Sequence, residues 1–290
     1  MTRLHTGLSA GNMGEWLASL GLLRAAASID AESRLSFSHA GEALLETAVS
    51  EQALVQKVIA SAHPASIAVE YLSRVENPTH LSVRVGDDLY ERTSHTLAEE
   101  KFAGGFNKNE DSKVGCLFRL SELGGLTISH YSGKAQSEEA GLKSSLILWA
   151  GMVTFQGILR NISAKVSSAR DGSSFADFCA VASRETQRFR FDHRDEQFED
   201  DGAHDSSSGR TCRPAIEWLA LLGLSFFPAA AGFESLSPQR RHVVSRIWSN
   251  PLSPQATLLA LHSGQAITHR IFFAASDGKM KKLRSITQSK

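Results

Sequence analysis

The run from Asp192 to Asp205, DHRDEQFEDDGAHD, gathers the groups of this chain best suited to metal chemistry. Carboxylates suit Mg²⁺ or Mn²⁺, and His193 and His204 could complete a transition-metal sphere. On that reading Asp192, His193, Asp195, Asp201 and His204 would serve a metal-dependent nuclease or phosphohydrolase. Their spacing matches neither HExxH nor an EF-hand loop. A solvated acidic loop leading into SSSGR explains the same residues, so no metal site is assigned. Gly7, Gly11 and Gly14 precede a helix as in a phosphate loop, but without GK[ST] or the GxGxxG order they indicate no nucleotide site. No GxSxG elbow picks out a nucleophile.

The basic residues point elsewhere. Between Lys101 and Lys108, Phe102 and Phe106 flank Gly104 and Gly105. Such a loop can stack aromatics on bases while its lysines hold phosphates, or be an ordinary surface loop. Lys279, Lys281, Lys282 and Arg284, with Arg240, Arg241 and Arg246, supply point charges and planar forks for a phosphate backbone. These eleven residues are the candidate nucleic-acid contacts.

Several elements must position them. In GNMGEWLASLGLLRAAASI, Asn12 caps a helix while Glu15 is expected to reach back to the cap. Trp16, Leu20, Leu23 and Ala27 fall on one face, and Ala18, Gly21 and Ala25 form a small-residue stripe. RLHTGL before it and Arg34 to His39 after it alternate as strands. A second helix is expected from Glu42 to Ala62, stopped by Pro64. His80 to Val85, Val114 to Leu120 and Leu126 to His130 read as strands, and Glu99 to Lys113 as a loop. Helices are expected over Gly141 to Val166, over Ser173 to Ser183 before strand-like QRFRFDH, and from Pro214 to a stop at Pro228. HVVSRIWSNPL reads as strand and turn, and AITHRIFFAASDGKMKKLRSI as two strands joined through Asp277 and Gly278. This is an α+β fold, with largely antiparallel strands packed with several apolar helices. It divides into an N-terminal α+β region, 1–135, and a C-terminal one, 136–290, with a basic hairpin at its end, or forms one continuous domain. EWLASLGL at Glu15 to Leu22 and EWLALLGL at Glu217 to Leu224 agree at seven of eight positions. The echo reads either as two core helices of common helix formers or as a pseudo-symmetric pair packed through Gly21 and Gly223.

The 290 residues carry 31 basic and 31 acidic side chains. The balance conceals a polarity, since Ser206 to Lys290 holds 11 Lys and Arg against 3 Asp and Glu, a net of +8. A locally basic face, rather than zero net charge, is what a nucleic-acid partner would meet. At 42% hydrophobic and 21% charged, the composition excludes wholesale disorder, collagen and coiled coil. Cys116, Cys179 and Cys212 are odd in number and widely separated, which excludes a disulfide framework and a CxxC zinc site. With no signal-peptide pattern at the start and no apolar run long enough for a bilayer, a cytoplasmic protein without membrane contact is expected.

Four blocks carry a family resemblance. GNMGEWLASLGLLRAA resembles the N-P-G-x-F-L-A-x-x-G-L-L-E-L-A opening of the Csb family of CRISPR-associated proteins, found with type I-G (formerly I-U) interference modules. GLKSSLILWAGM is similar to the family's L-K-T-W-A-G-Q block. FRFDHRDEQFEDDG with RPAIEWLALLGLSFFP is similar to its F-D-x-R segment followed by P-A-x-E-L-L-A-L-x-G-L. IWSNPLSP with RIFFAASDGKMKKL completes the order. Met13 stands where the family opening has Pro, and Lys281-Lys282-Leu283 replaces a K-x-F ending.

The resemblance implies a protein related to the large-subunit-like proteins of Cascade-type complexes. In such complexes base pairing with the crRNA supplies sequence specificity, while protein subunits read a flanking motif and hold strands. It carries over no catalytic residue, so the expectation is a non-catalytic subunit without a cofactor. Its partners would be backbone and crRNA-processing subunits, crRNA, target DNA and a recruited helicase-nuclease. A scaffold subunit that never touches nucleic acid is the remaining alternative.

Overall fold

The computed structural model describes residues 1–75, 77, 82–85, 88–98, 113–130, 155–169, 174–185, 191, 210–227, 242–263, 269–275 and 283–286. Its first element, β1 (Thr2–Ser9), leads into α1 (Met13–Ala27), and β2 (Arg34–Phe37) and β3 (Glu42–Thr47) follow. The three strands form an antiparallel sheet in the order β1-β3-β2. The expected helix from Glu42 thus begins only at Glu51. EALLET has helical propensity, but its strand pairs on both sides and buries Leu44 and Leu45, and tertiary pairing outweighs the propensity. The helix itself, α2 (Glu51–Ser61), starts where the Ser50 side chain accepts from Ala53 N.

A second antiparallel sheet has the order β5-β6-β4-β7-β8. Its strands are β4 (Ile67–Val75), β5 (Ser82–Val85), β6 (Asp88–Thr96), β7 (Lys113–Leu120) and β8 (Leu126–His130). Ile67, Val69, Phe118, Leu120 and Ile128 are buried on one face, while Arg119 and Thr127 are exposed on the other. Gly124 and Gly125, at φ of 66° and 77°, make the left-handed turn between β7 and β8. Of the span expected to form a long central helix only α3 (Phe155–Ser167) falls within the described residues, and the expected loop, except Lys113, which opens β7, lies outside them. The next helix, α4 (Phe175–Ala180), is shorter than expected and gives way to β9 (Ser183–Glu185), which pairs with β10 (Arg210–Cys212). Apart from buried Phe191, the QRFRFDH segment lies outside the described residues.

The C-terminal part runs through α5 (Pro214–Gly223), a 3₁₀ turn over Leu224–Phe226, and β11 (His242–Ile247). Then come α6 (Pro254–Ser263), β12 (His269–Ala275) and β13 (Leu283–Ile286). The last three strands form an antiparallel sheet in the order β11-β12-β13. The α+β class with antiparallel strands is therefore the observed one.

Helices α1 and α5 organise the interior. Nearly every residue of α1 and all of α5 are buried, so both are core helices rather than amphipathic surface ones. They cross through their glycines. A Cβ on Gly21 would overlap the Leu219 carbonyl oxygen and lie 2.8 Å from its carbon; one on Gly223 would overlap the Leu17 carbonyl oxygen and lie 3.0 Å from that carbon. Leu17 and Leu219, like Gly21 and Gly223, are equivalent positions of the sequence echo. The same contact is made twice with the helices exchanged, which is the pseudo-symmetric arrangement.

The two ends of the chain share this core, because residues on both sides of position 135 belong to one cluster of buried apolar side chains. Leu35 forms a two-way backbone bridge with Leu252, and Trp248 Nε1 donates to Leu35 O at 2.7 Å. The Trp248 ring meets Phe37 edge-on at 5.2 Å. Trp16 Nε1 donates to Arg246 O at 3.2 Å, and its echo Trp218 donates to Ser61 Oγ at 3.0 Å. A buried tryptophan needs such an acceptor for its one polar atom.

Candidate nucleic-acid interface

The sequence candidates divide into those the described residues include and those they do not. Lys101, Phe102, Phe106, Lys108, Arg240, Arg241, Lys279, Lys281 and Lys282 lie outside, as do Asp192, His193, Asp195, Asp201 and His204. Arg284 sits on β13, paired with Ala274 of β12, which in turn pairs with His242 of β11. The hairpin strands β12 and β13 do pair antiparallel, but β12 separates β13 from β11, so Arg284 is not a direct neighbour of Arg246.

Arg246 itself is only 6% exposed. Its Nη1 donates to Leu261 O at 2.7 Å and to Ala260 O at 3.3 Å, the carbonyls at the end of α6. A cation there satisfies orphan carbonyls and complements the helix dipole. Arg246 therefore ties β11 to α6 and, through Trp16, to α1. As a phosphate contact it is corrected, because the guanidinium faces the interior.

A second internal cation was not singled out from the sequence. Arg213, at the cap position of α5, donates from Nη2 to Glu15 Oε1 at 2.7 Å, with both side chains buried. The other oxygen, Glu15 Oε2, accepts from Ser9 N at 2.8 Å. The capping box therefore forms only by half. Asn12 Oδ1 accepts from Glu15 N at 3.1 Å as expected, but Glu15 turns to the strand end and to Arg213 instead of to its own cap. The signal was an arginine before Pro214, where a helix start ordinarily favours Ser, Thr, Asp or Asn.

Cys179 lies within the field of this pair. Burial, the largest influence, pushes its thiol up to about 12; Arg213 lowers it and Glu15 raises it. A thiol held there is protonated at neutral pH and is not a nucleophile.

At the far end of α1 the setting is different. The Arg24 guanidinium lies over the Phe226 ring, 3.9 Å from its centroid, and Nε donates to Ser225 Oγ at 3.1 Å. Burial lowers its pKa to about 10, which leaves it charged at neutral pH. The Phe226 carbonyl accepts from His262 Nε2 at 2.7 Å, which fixes the neutral His262 ring with its proton on that nitrogen. The imidazole also meets Phe227 at 5.9 Å, and Phe227 meets Trp16 at 6.0 Å. Desolvation, above all, pulls the His262 pKa below its ordinary value, and the Arg246 charge adds to it. Ser225, Phe226 and Phe227 thus form a shelf braced by α6 beneath one arginine of α1. Such a shelf can hold a positive charge in place; it brings no nucleophile and base together.

Among the described residues, no group of three or more His, Cys, Asp or Glu could hold a metal ion, and no helix is long and apolar enough to cross a membrane. Comparison with protein families, with curated proteins and with solved structures finds no match for this chain.

Proposed function

We propose that this chain is a non-catalytic subunit of a type I CRISPR surveillance complex of the Cascade kind, working in the cytoplasm and contacting crRNA, target DNA or both. The observation that carries the reading is the order of four sequence blocks similar to the Csb family. Two stretches of those blocks, at 11–26 and 213–228, hold nearly all of α1 and the whole of α5, so part of the resemblance draws on the crossing helices the fold is built around. The net charge of +8 over Ser206 to Lys290 adds a source of phosphate attraction.

In this role sequence specificity belongs to base pairing, and the protein supplies strand holding, flanking-motif reading or docking of a helicase-nuclease. The test is co-expression with candidate backbone and crRNA-processing subunits, followed by purification through a tag on this chain. A stoichiometric complex containing a small RNA supports the reading. Recovery of the protein alone, or of a complex whose RNA and DNA affinity is unchanged when this chain is omitted, refutes it. Mn²⁺-dependent cleavage of labelled nucleic acid, abolished by Asp192→Ala and His193→Ala, would assign the nuclease instead.

A further inference from the structure

We propose that Arg24, held over Phe226 and bonded to Ser225, is an anion site that takes a phosphate oxyanion, and that a nucleic-acid strand supplies it. The source of the phosphate rests on the function proposed above; the site does not. Of three arginines drawn into the interior among the described residues, two face an acceptor of full or partial negative charge. Arg213 faces the Glu15 carboxylate, and Arg246 faces two helix-end carbonyls. Arg24 is largely withdrawn from water, yet among the described residues it has no carboxylate partner; its contacts are a hydroxyl and an aromatic face.

Withdrawing a guanidinium from water without an opposite charge is unfavourable, because the lost hydration has no ionic replacement. Burial alone accounts for the lowered pKa of this group, with no nearby charge contributing. The geometry also restricts the group to one place. Its carbon lies over Phe226 and the bond to Ser225 occupies Nε, so two contacts anchor the guanidinium and Nη1 and Nη2 carry the remaining donors. A planar pair of donors held in one place matches two oxygens of a phosphate, and anchoring it reduces the entropy lost on binding. His262 donates to the carbonyl of Phe226 and helps keep the shelf in position.

A purely structural account would have Arg24 complement the C-terminal end of α1. Inorganic phosphate separates the two accounts. The full chain is melted in phosphate and in chloride at matched ionic strength, alongside Arg24→Met, whose unbranched stem still lies on Phe226, and Arg24→Lys, which keeps the charge but loses the fork. The parent is expected to melt several degrees higher in phosphate than in chloride. That difference should vanish in Arg24→Met and shrink in Arg24→Lys. The same phosphate shift in the parent and in Arg24→Met overturns the site. A short single-stranded RNA or DNA then tests the source, and Arg24→Met should weaken its binding about tenfold through loss of a charge-assisted contact. Phosphate binding that depends on Arg24, in a protein with no affinity for either oligonucleotide, would keep the site and refute the strand as its source. Oligonucleotide binding indifferent to Arg24 would do the same, while leaving the nucleic-acid function standing.

Discussion

Replacing Gly21 by alanine tests the crossing of α1 and α5 with a single methyl group. In an isolated helix the change is favourable by about 1 kcal/mol, because alanine restricts the unfolded chain and glycine does not. Here the new Cβ would overlap the Leu219 carbonyl oxygen and stand 2.8 Å from the Leu219 carbon and 2.9 Å from Leu222 Cβ. The two closest of these atoms are backbone, so no rotamer change relieves the clash and the helices must move apart. Overpacking of a close-packed interior costs about 1–3 kcal/mol, and a main-chain clash belongs at the top of that range. Setting about 3 against the gain of about 1 leaves a net loss of about 2 kcal/mol. At about 2–4 °C per kcal/mol for a chain of this size, the melting temperature should fall by about 4–8 °C. Gly223→Ala should cost a similar amount, since its Cβ meets Leu17 in the same way. The double variant should cost less than the sum, because helices already separated by one methyl group have room for the other. Circular dichroism on the three variants reads this directly. A Gly21→Ala protein that melts at or above the parent would show that the helices do not cross at the glycines.

Glu15→Gln should be among the most damaging isosteric changes, about 3–5 kcal/mol, because it leaves Arg213 buried without its charge; denaturant titration against Glu15→Met/Arg213→Met, expected to recover much of the loss, checks it. His262 has a folded pKa below its unfolded value, so its neutral form contributes stability that is complete above the unfolded value near 6.5 and is lost as pH falls from there toward the folded value. A His262→Gln variant should lack that part of the acid-side decline, and superimposable stability profiles from pH 7 to 5 would contradict the neutral, half-buried ring. With its thiol pushed up to about 12, Cys179 should resist alkylation in the native protein at mildly alkaline pH and react on denaturation, which mass spectrometry of the peptide containing it reads out.

What the sequence revealed follows a physical line. Asn12 and Pro214 mark the starts of α1 and α5 through local chemistry, and both helices begin there. The seven-of-eight echo left open whether Gly21 and Gly223 meet; only the packed pair answers that, because close approach depends on two segments far apart in the chain. EALLET was misread because its residues favour a helix, while the pairings with β1 and β2 that make it a strand are long-range. Helix α6 was missed although Ser253-Pro254 is a readable start, the Ser253 Oγ accepting from Ala256 N. Arg246 was misassigned for the reason common to all charge counting. A basic residue amid apolar ones, as in HVVSRIW, can face either way, and here its strand places it against a helix end.

That last correction bears on how far the basic C-terminal part supports a nucleic-acid partner. Of the 11 basic residues from Ser206 to Lys290, Arg213 and Arg246 are buried, and of the 3 acidic ones Glu217 is buried. Removing them leaves 9 against 2, so the surplus falls only from +8 to +7. The interior uses two of its cations without removing the segment's surplus of positive charge. Arg24 adds a charge of a different kind, placed on the net-acidic N-terminal half but resting on Ser225 and Phe226 of the basic segment. A strand drawn in by the diffuse charge would find there one cation already anchored and partly stripped of water. Long-range steering tolerates many arrangements of lysine and arginine, whereas an anchored fork does not. The two should therefore separate experimentally: charge-removing changes among the C-terminal lysines should flatten the salt dependence of binding, while Arg24→Lys should lower affinity with the salt dependence nearly intact.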